Sequence, residues 1–397
     1  MKSLMDQDRI IIAGGGIGGM AAAAGLARNN IASIVIEQSS KFGEIGAGIQ
    51  IAPNAFHCFD YLGVGDAARE RAVFIDALRL MDAATGDDIT QIPLGDDFRA
   101  HMGNPYAVIH RAEMHAMLID VCRRSPLVEL QTDTRIEGYQ QDDDGVCLDT
   151  SRGPVYGRAL VAADGLRSRI REQLVGDGAP RVSGHASYRS VIPYENMPED
   201  LRWNAATLWA GPKCHIVHYP LQGWKQFNLV VTYHRDAGEA VAGQPVSHDE
   251  VAVGFEHIAP RARQIIEHGK DWKLWVLCDR DPITNWRDGN VVLLGDAAHP
   301  MLQYFAQGAC MAMEDAVCLA HYAAQNRDDF GAAFEAYQHQ RIVRTARVQL
   351  NSRLIGQYIY HPDGATAAVR NHVMKNMSPQ EWNQRLSWLY GSNGIEM

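Results

Sequence analysis

The stretch RIIIAGGGIGGMAAAAGLARNNIASIVIEQSS, residues 9–40, constrains the fold more than any other part of the chain. Ile10–Ala13 is a short apolar strand, and Gly14, Gly16 and Gly19 follow at once in a G-x-G-x-x-G arrangement. An alanine-rich helix then runs to about Asn29, and a second strand, Ser33–Ile36, ends at Glu37. This is the full β-α-β context of a dinucleotide-binding fingerprint. Gly14 permits the tight turn, Gly16 lets backbone approach a pyrophosphate, and Gly19 lets the helix lie close on the sheet. Helix N–H groups and the helix dipole hold the diphosphate. Glu37 is placed to accept bonds from a ribose hydroxyl. The fingerprint alone does not choose between FAD and NAD.

Later segments narrow the choice. In GEIGAGIQIAPNAFHCFDYLG, Gly43, Gly46 and Gly48 make a flexible loop where Ala47 and Gly48 can lie against a flat ring. Pro53-Asn54 opens a helix with Phe56, Phe59 and Leu62 on one face. Arg111, beside the helix within Ile109–Cys122, is either a phosphate partner or a solvated surface residue. LVAADGLRSRIR places Asp164 at the end of a buried strand, where open α/β sheets bind ligands. An Asp before a helix is also a common N-cap, so both roles stay open for Asp164. NVVLLGDAAHP repeats the pattern with Asp296, and a helix starting near Gly308 points its positive end at whatever sits there.

Composition excludes several classes. The 397 residues carry 37 basic and 47 acidic side chains, a net charge of −10 that disfavours a sequence-independent nucleic-acid partner. Seven dispersed cysteines without a C-x-x-C pair read as reduced thiols, so neither a disulfide framework nor a metal site is expected. No apolar run reaches membrane-spanning length and no signal segment stands out, so a cytoplasmic protein without membrane contact is expected.

Gly14-x-Gly16-x-x-Gly19, the Ala163-Asp164-Gly165-x-x-Ser168-x-x-Arg171 stretch and Gly295–Pro300 together resemble the single-component FAD-dependent aromatic hydroxylases. The resemblance implies an α/β fold: a Rossmann-like FAD-binding domain with an inserted β-sheet substrate domain and a C-terminal helical region. The FAD unit is expected to combine residues 1–75, 105–180 and 280–325, and the substrate sheet residues 76–104 and 181–279. Residues 326–397 are expected to be helical and to carry a homodimer contact through Trp382, Trp388 and Tyr390, with Arg341, Arg344 and Arg347 on a solvated face or in interface salt bridges.

The family likeness also implies tightly bound FAD, NADH or NADPH as reductant with NADH favoured, O2, and a small aromatic acid as substrate. It makes Glu37, Ala47, Gly48, Arg111, Asp164, Asp296, Gln307 and Gly308 cofactor-site residues beside the glycine motif. HIVHYPL and the late WLYG are most similar to enzymes that turn 3-hydroxybenzoate into 2,5-dihydroxybenzoate (gentisate). Hydroxylation of salicylate or of 6-hydroxynicotinate is the alternative, and a non-catalytic flavin-binding sensor is the reading from another class. In the family reaction a flavin C4a-hydroperoxide attacks an activated phenolate. Strand periodicity sends His215, Val217 and Tyr219 to one face and Ile216 and His218 to the other. His215 is the expected base, since an imidazole titrates near operating pH, with Tyr219 and Gln303 orienting the hydroxyl. His299, before Pro300 at a turn, is expected to shape the pocket. No arginine stands out in the sequence as the partner of a substrate carboxylate.

Overall fold

The structure, a computed structural model, describes residues 8–43 and 47–395, so Gly46 and the first seven residues lie outside it. β1 (Ile10–Ala13) passes through Gly14–Gly16 into α1 (Ile17–Arg28), and β2 (Ser33–Ile36) returns parallel to β1. α2 (Pro53–Leu62) and a hairpin of β3 (Ala77–Asp82) and β4 (Asp88–Pro93) follow. The chain comes back through α3 (Arg111–Arg124), β5 (Val128–Gln131), β6 (Ala159–Ala162) and α4 (Arg169–Leu174). Four long strands come next: β7 (Arg181–Pro193), β8 (Ala205–Gly211), β9 (Cys214–Leu221) and β10 (Gln226–His234). β11 (Lys273–Asp279), β12 (Val291–Leu293), α5 (Gly308–Gln325), α6 (Phe330–Ile355), α7 (Gly364–Lys375) and α8 (Pro379–Tyr390) complete it.

Two large sheets organise these elements. The first has the order Arg287–Asp288, β12, β6, β1, β2, β5, parallel except at the Arg287–Asp288 edge. Its central strands are unbroken apolar runs because both faces are covered. α1 can lie close on α5 because Gly25 has no side chain: a Cβ there would stand 2.9 Å from Cβ of Ala320. The second sheet has the order Ala242–Pro245, β11, β7, β10, β9, β8, β3, β4. It is antiparallel except where β8 runs parallel to β3. Its strands alternate faces, so one face packs on a core built around Trp209, Ile216, Phe227 and Val231. The other face looks towards the first sheet.

Two expectations for the C-terminal region fail. Trp382 and Tyr390 are buried rather than exposed, and Tyr390 meets the rings of Phe98 and Tyr106 edge-on. Trp388 is half-covered, with the Arg347 guanidinium 3.7 Å from its ring centre. Arg341 and Arg344 are not on a solvated face either. Arg341 bonds Glu314 and Asp315, and Arg344 bonds Glu314 and the carbonyls of Trp388 and Leu389. All four charged residues are buried between α5 and α6, where each ion needs its partner to offset lost hydration. Among the described residues, no helix is long and apolar enough to cross a membrane.

Candidate active site

A cavity of about 450 Å3 lies between the two sheets. Gly16, Ile17 and Gly18 at the start of α1 line one end, with Ala163, Gly165, Gly295 and Asp296 beside them. Gln307 and Gly308 bring the start of α5 to the same wall. Gly48, Gln50 and Arg111 line it from another side, and the second sheet covers it with Arg189, His215, Val217, Tyr219 and Val230.

The glycines have the steric tasks their spacing implies. Gly14 has φ +104°, and a Cβ there would stand 2.3 Å from the Ala163 carbonyl oxygen. At Gly19 a Cβ would fall 1.9 Å from the Gly14 carbonyl oxygen. Glu37 accepts from the backbone N–H of Gly15 and of Ser39, both at 2.8 Å, and so braces the turn at the end of β2. Gly48 donates to Asn228 Oδ1, and the Ala47 carbonyl accepts from Arg111 N. A Cβ at Gly48 would stand 2.4 Å from the Tyr219 ring, so only glycine lets the short strand Gly48–Ile51 pass.

Asp164 lies between two residues of the cavity wall, Ala163 and Gly165. Its carboxylate accepts from the Ser168 hydroxyl at 2.5 Å and from Arg169 N at 2.8 Å, and it does not line the cavity. Ser168 is the N-cap of α4 and accepts from Arg171 N, and Asp164 adds a second acceptor for the first N–H groups of that helix. His299 also turns away, giving Asp315 a 2.5 Å contact within the buried ion network. Asp315 in turn accepts from Gly295 N, which has φ +62°. Burial works to raise the Asp315 carboxyl, but His299 and Arg341 outweigh it and hold it at about 2.

On β9 the alternation holds. His215, Val217 and Tyr219 line the cavity, while His218 faces the opposite core and accepts a hydrogen bond from Trp209 Nε1 at 3.1 Å. Gln303 donates to Thr232 Oγ1 at 3.3 Å and accepts from Arg189 Nη2 at 3.4 Å. His215 has Nε2 buried without a protein partner, and Nδ1 is 2.7 Å from His361 Nε2. His361 Nδ1 is 3.1 Å from His234 Nε2, so three imidazoles form one chain. The reason given for His215 as base needs correcting. Burial, and then the neighbouring His185 and His234, push it well below an ordinary histidine rather than near neutral pH.

Among the residues that line this cavity, sequence reading missed Arg189 and Tyr360. Arg189, from β7, is lowered to about 10 by burial and by the Arg111 charge, and its Nε is buried without a partner. The signal was an arginine within the strand pattern SYRSVIP, where a charge among apolar and aromatic neighbours marks a polar interior. Tyr360 comes from the segment after α6 and meets the His215 ring edge-on at 4.8 Å. Nothing in the local pattern places that segment under β9. Gln50, Val217, Ala306 and Tyr360 also border a second cavity of about 370 Å3 towards Tyr106 and Tyr390.

The residues fit FAD. Gly14, Gly15, Gly18 and Gly19 leave no room for side chains, the starts of two helices line one cavity, and the second sheet adds Arg189, His215 and Tyr219 to its lining. A parallel nucleotide-binding sheet roofed by a second sheet, with one chamber between them, defines an FAD-binding flavoprotein. Residues 7–352 match the FAD binding domain family. The chain is 51% identical over 390 residues to 3-hydroxybenzoate 6-hydroxylase 1 of Aquipseudomonas alcaligenes, covering 98% of this chain and 99% of that protein. It is 49% identical to a 3-hydroxybenzoate 6-hydroxylase of Polaromonas naphthalenivorans, over 97% of this chain and 96% of that one. Klebsiella pneumoniae HpxO, solved with FAD and uric acid, superposes with a TM-score of 0.86 at 25% identity, over 98% of this chain and 99% of that chain. The chain belongs to the FAD binding domain family and is an FAD-dependent aromatic hydroxylase.

Proposed function

We propose that this enzyme converts 3-hydroxybenzoate to 2,5-dihydroxybenzoate with NADH and O2. The observation that carries the reading is that one cavity is lined by both a half-buried cation, Arg189, and a buried imidazole, His215. A hydroxylated aromatic acid offers one partner for each. The names of the two relatives favour 3-hydroxybenzoate over salicylate and 6-hydroxynicotinate.

Bound reduced FAD supplies activation of O2 and transfer of one oxygen atom to the ring. The chain's own residues do the rest. Arg189 pairs with the substrate carboxylate, and Gln303, held by Thr232, orients the hydroxyl together with Tyr219. His215 Nε2 takes the phenol proton. Because that ring holds a proton weakly, its Nδ1–H passes one on to His361, and His361 passes one to His234 at the half-exposed edge. The Glu37-braced glycine turn, Gly48, Asp296 and the Gln307–Gly308 helix start bind the cofactor.

In this reading the residues lining the first sheet (1–75, 105–180, 280–325) form the FAD unit, and 76–104 with 181–279 form the substrate sheet. Val343, Leu350 and Leu354, exposed on one side of α6, are the surface for a homodimer. Seven cysteines with no disulfide among them suit a cytoplasmic enzyme. The test is a screen of hydroxybenzoates for stimulated NADH oxidation with product identification. Gentisate from 3-hydroxybenzoate supports the reading, and catechol from salicylate as the preferred product overturns it.

A further inference from the structure

Gln307, the residue before α5, lines the cofactor cavity, and its side chain is buried. Its Oε1 accepts from Asn54 Nδ2 at 2.9 Å, while its Nε2 has no acceptor among the described residues. Asn54 is fully buried in the first turn of α2 and does not line the cavity. The same Nδ2 donates to Glu314 Oε1 at 2.7 Å. Glu314 stands further along α5 and is shared by Arg341 and Arg344.

We propose that Asn54 is a positioning residue for the flavin: it holds the Gln307 amide with Nε2 as a hydrogen-bond donor to bound FAD. The polarity is set from Glu314 outward. Burial works to raise the Glu314 carboxyl, but Arg341 and Arg344 outweigh it and keep it below its ordinary value, so Glu314 offers acceptors only. An acceptor beside Asn54 requires the NH2 group of Asn54, not its oxygen, on that side. The second hydrogen of that NH2 meets Gln307, which must answer with Oε1. A glutamine that turns its oxygen to one neighbour keeps its NH2 for another, and a buried donor left unpaired is costly. FAD carries ring nitrogens and carbonyl oxygens that satisfy it.

Such a donor favours one redox state. A hydride brings two electrons and one proton, so a flavin reduced by it carries one more negative charge than the oxidised ring. A hydrogen bond to a charged acceptor is roughly twice as strong as one to a neutral acceptor. Gln307 Nε2 therefore stabilises reduced FAD over oxidised FAD by about tenfold in relative affinity, or about 30 mV for a two-electron couple. The positive end of α5, at the same wall, acts in the same sense. The arrangement is independent of which aromatic acid the enzyme takes.

The test is the midpoint potential of FAD bound to the full chain, read from flavin absorbance against a reference dye. Gln307→Met and Asn54→Ala should each lower it by about 30 mV, the tenfold change in relative affinity. The double variant should fall no further than Gln307→Met alone, because Asn54 acts through Gln307. Asn54→Ser is the second variant in case the alanine chain fails to retain FAD. Its single hydroxyl hydrogen goes to the Glu314 carboxylate and leaves Gln307 free to turn, so the same shift is expected. An unchanged potential in Gln307→Met overturns the donor. An unchanged potential in the Asn54 variants, or an additive double variant, overturns the positioning role. A purely structural Asn54 would lower the melting temperature and leave the potential in place.

Discussion

Arg171 Nη1 donates to the Ala298 carbonyl at 2.7 Å, joining the helix after the second sequence motif to the loop of the third. The same nitrogen bonds the Ala297 carbonyl at 2.9 Å, and the rest of the guanidinium bonds Asp177. Arg171 therefore holds the Gly295–Pro300 loop against the cofactor cavity without touching the cavity itself.

Arg171→Met should loosen that loop. It leaves two buried carbonyls without their donor and removes one of the two arginines paired with Asp177, Arg280 being the other, a loss of about 3 kcal/mol. Thermal melting of the FAD-loaded protein should report it, with earlier release of fluorescent flavin. Unaltered flavin retention would show that the loop keeps its shape alone.

Gly48→Ala should disturb Tyr219 directly, since the new methyl would stand 2.4 Å from its ring. Overpacking of this kind costs about 1–3 kcal/mol. Adding Tyr219→Ala should restore the melting temperature but not the product yield per NADH, which separates packing from the task of orienting substrate.

His215→Ala should leave NADH-driven flavin reduction running while hydroxylation falls by about 10²–10⁴ and hydrogen peroxide rises. Turnover and coupling equal to the parent enzyme would remove His215 from the mechanism.

Arg189→Met should raise KM for the aromatic acid by about a hundredfold or more, the usual cost of leaving a buried charge unpaired. Phenol, which has no carboxylate, should be turned over about equally by parent and variant. An equal loss with phenol would assign Arg189 to sheet structure instead.

Acid should expose the ion network. The Asp315 carboxyl is held at about 2 against an ordinary 3.8, so its contribution of about 2 kcal/mol is complete above pH 4. That contribution disappears as pH falls through 2. Melting curves from pH 7 to 2 should drop less steeply in Asp315→Asn, which starts less stable.

The sequence revealed most about local structure and least about what register brings together. G-x-G-x-x-G predicts a strand, turn and helix that all form, because glycine sterics act within a few residues. The Ala-Thr-Gly-Asp-Asp turn likewise marks the β3–β4 hairpin. Period-two alternation put His215, Val217 and Tyr219 on one face for the same reason, and that face lines the cavity. His185 faces His234 across two strands, and no local pattern encodes that pairing. The buried ions had a readable sign: Glu314 and Asp315 interrupt an apolar helix, so cations had to approach from elsewhere. Arg341 and Arg344 have helical spacing, which is equally compatible with a solvated face, and only the packing of α6 on α5 decides it.

β9 carries two messages on alternate letters. Odd positions from 215 to 219 face the chamber, while Ile216 and His218 belong to the opposite core. Changes of substrate preference can therefore accumulate on one set while the other keeps the sheet folded. A lineage of such enzymes can explore new aromatic acids along this strand without first losing the scaffold that presents them.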